Sequence, residues 1–212
     1  DGIEFFKGET LEETNLDELR ISYGDHWAYN YLGEVAPFDQ LHVLTQTEGM
    51  HWANHHFKNG HRAEENVISG FNMIVIDVDG DVSLETAHEL MQGYKYMTYT
   101  TKRHTDEQNR FRLILPINYV LELDSEDYKE FMNNVMGWLP FKTDESANQR
   151  AKKWECYADG EYHYNLEGEI LDALAFIPKT SKNEQYKQQF QKVESLDNLE
   201  RWFAQRIASG NR

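Results

Sequence analysis

Phe71–Asp81 reads FNMIVIDVDGD, and this stretch decides the fold. It is apolar and rich in β-branched residues through Val78, the pattern of a strand covered on both faces rather than one that alternates between core and water. The strand ends in two acids, Asp77 and Asp79, whose i, i+2 spacing sends both carboxylates off one face at its carboxyl end. Gly80 and Asp81 form a turn, Ser83 is placed to cap a helix with Glu85 in its first turn, and Leu84, Ala87, Leu90, Met91 and Tyr94 trace a helical face. The order is strand, acidic turn, helix.

Working outward, Tyr96–Thr101 and Phe111–Ile117 (FRLILPI) are two more strand-like runs, joined by a polar segment, KRHTDEQNR, as a long-looped antiparallel hairpin. If the first run stays extended, Lys102 and His104 leave one face together. Alternation likewise pairs Arg110 with Arg112, opposite Phe111, Leu113 and Leu115. Residues 124–138 form an amphipathic helix opened by Asp124 or Ser125. Residues 10–36 read as short helices and turns, Leu41–Thr45 (LHVLT) as a strand, 154–164 as irregular or extended, and Asp197–Ser209 as a helix. The expected class is α+β, a mixed central sheet flanked by helices with a C-terminal helical extension. Residues 1–192 are expected to form one domain, and 193–212 to begin a linker or a following domain.

The chain has 212 residues, 40 % of them hydrophobic, with 4 Pro and 13 Gly, a composition that folds rather than stays disordered. A single cysteine, Cys156, excludes an internal disulfide framework, and no apolar run reaches the ~20 residues of a membrane span. Both fit a cytoplasmic protein with no membrane partner. The net charge of −16 taken alone disfavours a polyanionic partner. Its distribution is uneven: residues 1–70 hold 13 acids against 4 Lys and Arg, whereas 102–112 and 142–153 each hold 4 Lys and Arg against 2 acids. Two cationic sites sit on an acidic body.

Paired carboxylates repel unless a cation joins them, and oxygen-only ligation suits Mg²⁺ or Mn²⁺. A solvated acidic turn is the plain alternative. A calcium loop starting at Asp77 is disfavoured by Val82 and His88, where that motif carries Gly and Glu. The DxDG sequence also resembles that of haloacid-dehalogenase phosphatases, with Asp77 as nucleophile and Asp79 as acid/base, although Asp81 stands where they carry Thr. Beside the acids, Lys102, His104, Arg110 and Arg112 supply what a triphosphate needs: guanidinium forks, a point charge and an imidazole hydrogen bond. Arg103 is expected to pair with Asp106 or Glu107. In HWANHHFKNGH, a helix would stack His51 on His55 with His56 and His61 nearby, a weak zinc pattern lacking the Glu of HExxH, and a polar surface is preferred. The aromatics at 27, 29, 31 and 52 are expected in the core.

Together these residues resemble the archaeo-eukaryotic primase superfamily, specifically the primase-polymerase domains of phage and plasmid replication proteins, over roughly residues 66 to 155. The resemblance implies an RRM-like catalytic core and template-dependent nucleotidyl transfer (DNA primase and DNA polymerase) by two Mg²⁺ or Mn²⁺ ions. Single-stranded DNA and nucleoside triphosphates would be the substrates, and a helicase domain or protein a further partner. Asp77 and Asp79 match the first motif, His104 with Lys102 before it the second, and the Arg110–Arg112 strand the basic strand. Asp144 is the third acid, with Glu155 and Asp159 as alternatives, and Arg150 a phosphate or template contact. The departures are Lys102, where a small residue is usual, and the missing cysteine zinc module. A non-catalytic module that binds single-stranded DNA is the remaining alternative.

Overall fold

The computed structural model describes residues 3–5 and 9–178. The chain divides into two compact units, one of residues 1–11 and 178–212 and the other of residues 12–177. In the first, β1 (Ile3–Phe5) pairs antiparallel with β2 (Glu9–Leu11). The helix expected within 193–212 lies outside the described residues.

The second unit runs β3 (Leu19–Gly24), β4 (Leu32–Ala36), α1 (Leu41–Thr45), β5 (His51–Ala53), β6 (His56–Phe57), β7 (Val67–Ile68), β8 (Phe71–Asp79), α2 (Leu84–Leu90), β9 (Tyr96–Thr100), β10 (Arg110–Leu121), α3 (Ser125–Trp138), β11 (Trp154–Glu155) and β12 (Tyr162–Asn165). Two four-stranded sheets carry the architecture, ordered β12-β9-β10-β8 and β11-β5-β3-β4. The class is α+β, as the sequence predicts. Every pairing between these strands is antiparallel, and parallel contact is confined to isolated bridges such as Ile117 with Leu171.

Strand β8 explains why the sheets stack. Met73 and Val75 leave one face and join Leu19, Ile21 and Trp52 of the second sheet in a core with Tyr99, Ile114 and Trp154. Ile74 and Ile76 leave the other face and are just as fully enclosed. At ~25 cal/mol per Å², a strand buried on both faces is a main source of the driving force for folding. Helix α3 buries Tyr128, Phe131, Met132 and Val135, and Phe131 meets Phe71 and Phe176 edge to face. The caps form where expected: the Ser83 side chain accepts from the Thr86 N–H and Asp124 from the Asp127 N–H.

Three expectations fail. Leu41–Thr45 is a helix, entered from Pro37 through a 3₁₀ turn at Phe38–Gln40. Leu41 and Thr45, four apart, are buried, while Val43, which would share their face in a strand, is 60 % exposed. Residues 19–24 and 32–36 are strands rather than helices and turns, because Leu19 and Ile21 point alternately into the intersheet core. The segment from His51, expected as a polar surface, is β5, a turn and β6, so the conditional helical stacking of His51 on His55 does not arise. His55 is instead wholly buried against Phe71 and Tyr128, and burial pushes its pKa down to about 3.

Candidate active site

The site forms where β8 and β10 end side by side. Antiparallel register sets Arg112 opposite Asp77 and Arg110 opposite Asp79, so the alternation that aims the two acids from one face aims the two arginines from the same one. Arg110 Nη1 lies 2.7 Å from Asp79 Oδ1, and Arg112 Nε lies 3.8 Å from Asp77 Oδ1. This is the face that packs on the second sheet, since Asp77 continues the Met73 and Val75 alternation. Gly80, at φ 88°, then turns the chain away in a conformation that L side chains avoid.

Arg112 is largely built into the wall. Its Nη1 donates to the Tyr99 hydroxyl (3.1 Å) and to the Glu155 carbonyl (2.7 Å), and the guanidinium stacks over Trp154 at 5.2 Å. Its Nε is buried without a hydrogen-bond partner. The Tyr99 hydroxyl also accepts from the Trp52 indole and donates to the Glu155 carbonyl, and burial raises its pKa. Sequence reasoning missed these anchors because they come from three separate strands.

The hairpin loop brings in His104 by a route other than the expected one. Strand β9 stops at Thr100, and a turn closed by the His104 N–H on the Thr101 carbonyl replaces the extended run. The Arg110 backbone N–H then donates to His104 Nδ1 at 3.0 Å. A ring nitrogen that accepts cannot carry the proton, so the neutral imidazole holds its N–H on Nε2. Asn109 pins the loop to the acidic turn: its side chain accepts from the Leu84 N–H and donates to the Thr105 and Asp106 carbonyls. Lys102 is exposed and, with Arg112, lines a cavity of about 450 Å³ that Glu155, Cys156, Tyr157 and Asp159 also border. The Cys156 thiol is pushed up to about 12 by burial, so it is no nucleophile near neutral pH.

Asp144 arrives through the backbone. Its N–H donates to the Asp77 carbonyl at 2.9 Å, and its carboxylate caps the 3₁₀ turn Glu145–Asn148 by accepting from the Ser146 N–H. That hydrogen bond holds its pKa below the ordinary carboxylate range. Asp77 shifts the other way, raised chiefly by burial, opposed by Arg112 and reinforced by Asp144 and Asp79. Glu155 and Asp159 stand at the cavity, and the Glu155 carboxylate pairs with Lys153 at 3.7 Å. Arg150, like Arg112, is drawn into a structural tie. Only 9 % exposed, it gives Nε to Glu64 at 2.6 Å and Nη1 to Ser69 and the Leu123 carbonyl, so three of its five N–H donors join loops.

Among the described residues no group of three or more His, Cys, Asp or Glu side chains is gathered as a metal cage. That covers the histidines of 51–61. The carboxylates of Asp77 and Asp79, which leave one face of β8, are an all-oxygen donor pair, and Mg²⁺ commonly takes one or two carboxylates and completes its shell with water and phosphate. The residues present fit such an ion.

An α+β domain with two carboxylates in register with two arginines is the class that fold and site define. The chain belongs to the VapE N-terminal domain family, whose pattern matches residues 52–187. It is also similar to the AEP domain of the cyanophage S-2L primase-polymerase, at 11 % identity and a TM-score of 0.41, over 78 % of this chain and 91 % of that one. No curated protein matches the sequence. Among the described residues no helix is long and apolar enough to cross a membrane.

Proposed function

We propose that the domain catalyses template-dependent nucleotidyl transfer, as a DNA primase-polymerase acting on single-stranded DNA with two Mg²⁺ or Mn²⁺ ions. The observation that carries the reading is the register of β8 on β10, which sets two acids for cations beside two guanidiniums and an imidazole for phosphates. Asp77, Asp79 and Asp144 would hold the ions, which supply acidification of the attacking 3′-hydroxyl and charge balance for the leaving pyrophosphate. Asp77 belongs to this set because a cation would relieve the repulsion from Asp144 and Asp79 that adds to burial, the larger cause, in raising its pKa.

The chain's own groups act on the triphosphate. His104 donates from Nε2, the only ring proton its bond to Arg110 leaves it. Arg110, paired with Asp79 in this structure, would present its fork to phosphate oxygens if that carboxylate were given over to a cation. Arg112 holds its charge beside the reacting phosphate without leaving its anchors, and Lys102 adds a point charge at the cavity mouth.

The test is incorporation of labelled nucleotides on single-stranded DNA with Mg²⁺ or Mn²⁺, read by gel. Asp77→Ala and Asp79→Ala are each expected to reduce the rate at least about a hundredfold with the fold intact. Substantial activity in either variant defeats the assignment. Release of phosphate from small esters without template would establish phosphatase chemistry at Asp77 instead, and DNA binding without turnover a non-catalytic module.

A further inference from the structure

The loop joining β3 to β4 reads DHWAYNY at Asp25–Tyr31. Tyr31 is buried, as is Trp52, but Trp27 is 62 % exposed and Tyr29 51 %, against the expectation that all four aromatics are core. The exposed rings are ordered. His26 stacks on Trp27 with centroids 5.5 Å apart and lies 5.4 Å from Tyr29, and Tyr29 stacks on His61 at 4.7 Å. Four rings thus make one surface array, where an isolated exposed aromatic would need no explanation.

The array is held from below. His26 Nδ1 accepts from the N–H groups of Ala28 and Tyr29 at 3.0 and 3.1 Å. The Arg62 Nε donates to the Trp27 carbonyl at 2.6 Å, and the Arg62 N–H to the Ala28 carbonyl at 2.7 Å. A loop tied this way presents its rings at a reduced ordering cost on binding. It is also connected to the candidate active site through the second sheet. Gly24, the last residue before the loop, pairs with His51, which pairs with Glu155 on the next strand. The Glu155 carbonyl accepts from Arg112, whose guanidinium reaches toward Asp77. Arg62 and Lys153 add positive charge along this path, both close enough to His51 to lower its pKa after the larger effect of burial, with the Glu155 carboxylate opposing them.

We infer that His26, Trp27, Tyr29 and His61 form a stacking platform for unpaired bases of single-stranded DNA, leading along β5 and β11 to the acids. Exposed rings over a cationic base are how single strands are gripped without sequence preference, each base stacking on a π face while the cations follow the phosphates. The platform's role as a template guide rests on the nucleotidyl-transfer reading, whereas binding itself does not.

The experiment measures anisotropy of a labelled oligothymidylate with the full chain, without nucleotide or divalent metal, over a range of salt. Trp27→Ala with Tyr29→Ala should weaken binding about five- to a hundredfold. Trp27→Phe with Tyr29→Phe should keep most of the affinity, and an abasic oligonucleotide should bind wild type and the alanine variant alike. The slope of log affinity against log salt should not change, because the phosphate contacts remain. Wild-type affinity in the alanine variant, equal losses in the alanine and phenylalanine variants, or no binding by wild type would overturn the inference. Ring-dependent binding in a protein that incorporates no nucleotide upholds the platform and removes the catalytic reading alone.

Discussion

The stretches 102–112 and 142–153 carry equal charge, four Lys and Arg against two acids, yet the fold spends them oppositely. The first delivers Arg110, Arg112 and His104 to one place, because its arginines sit on a strand whose partner is the acid-bearing β8. The second scatters. Arg150 becomes a buried tie to Glu64, Lys152 donates to Ser146 and lies over Trp154, and Lys153 pairs loosely with Glu155. Period-two alternation and register fix a cation's direction, whereas a loop cation goes wherever a buried acceptor needs it.

If that contrast is right, the two arginine sites respond to truncation in opposite ways. Arg110→Ala should lower incorporation by about a hundredfold while moving the melting temperature little, because its partner Asp79 is half exposed and can return to water. Arg150→Ala should leave Leu123 and Ser69 without their donor and cost about 3 kcal/mol, a fall of about 6–12 °C for a chain of this size, while activity per folded molecule persists. Calorimetry and single-turnover incorporation on the same two variants decide it, and a reversed pattern would break the comparison.

A smaller effect separates the histidine in the site from those in the frame. His88, bonded to Thr98 and stacked on His163, is held down to about 4 by burial, and His55 to about 3. Both folded values lie below the ordinary 6.5, so between pH 6.5 and about 4 the unfolded chain binds protons that the folded one refuses. Stability is therefore full above pH 6.5 and drains as pH falls. Asp77, raised, works in the other direction, gaining stability as it protonates. Urea midpoints at pH 7, 6 and 5 should decline for wild type and decline less for His88→Gln.

The sequence carried the acid strand and its helix because their signals are local. The buried run of β8 needs no partner to be recognised, and the caps at Ser83 and Asp124 lie next to the N–H groups they satisfy. Arg110 and Arg112 were legible for the same reason, through alternation on one strand. Arg150 was not, since nothing near residue 150 reveals that Glu64 waits across the fold with a carboxylate to be balanced. The apolar pentad at Leu41 is too short for its period to separate helix from strand, and only Pro37 hinted at a helical entry. The exposed aromatics of 25–31 could have been suspected from their lack of either period amid Asp, Asn and Gly.

The smallest expected effect sharpens the contrast furthest, because it concerns a cation from the scattered stretch that the fold neither buries nor commits. Lys153 reaches the exposed Glu155 carboxylate only at 3.7 Å, an arrangement worth between nothing and about 1 kcal/mol, so Lys153→Ala should leave the melting temperature within about 4 °C of wild type. Its field is felt elsewhere. His51, which lines the cavity, has its pKa lowered first by burial and next by Lys153, with Glu155 opposing. Removing the ammonium should let that histidine titrate at a higher pH, still below its ordinary value because burial is unchanged. Proton NMR of the imidazole in wild type and variant measures this directly. A drop in stability as large as that of Arg150→Ala would mean that Lys153 is a structural tie after all, and the distinction between loop cations that brace the frame and those that only set a field would be lost.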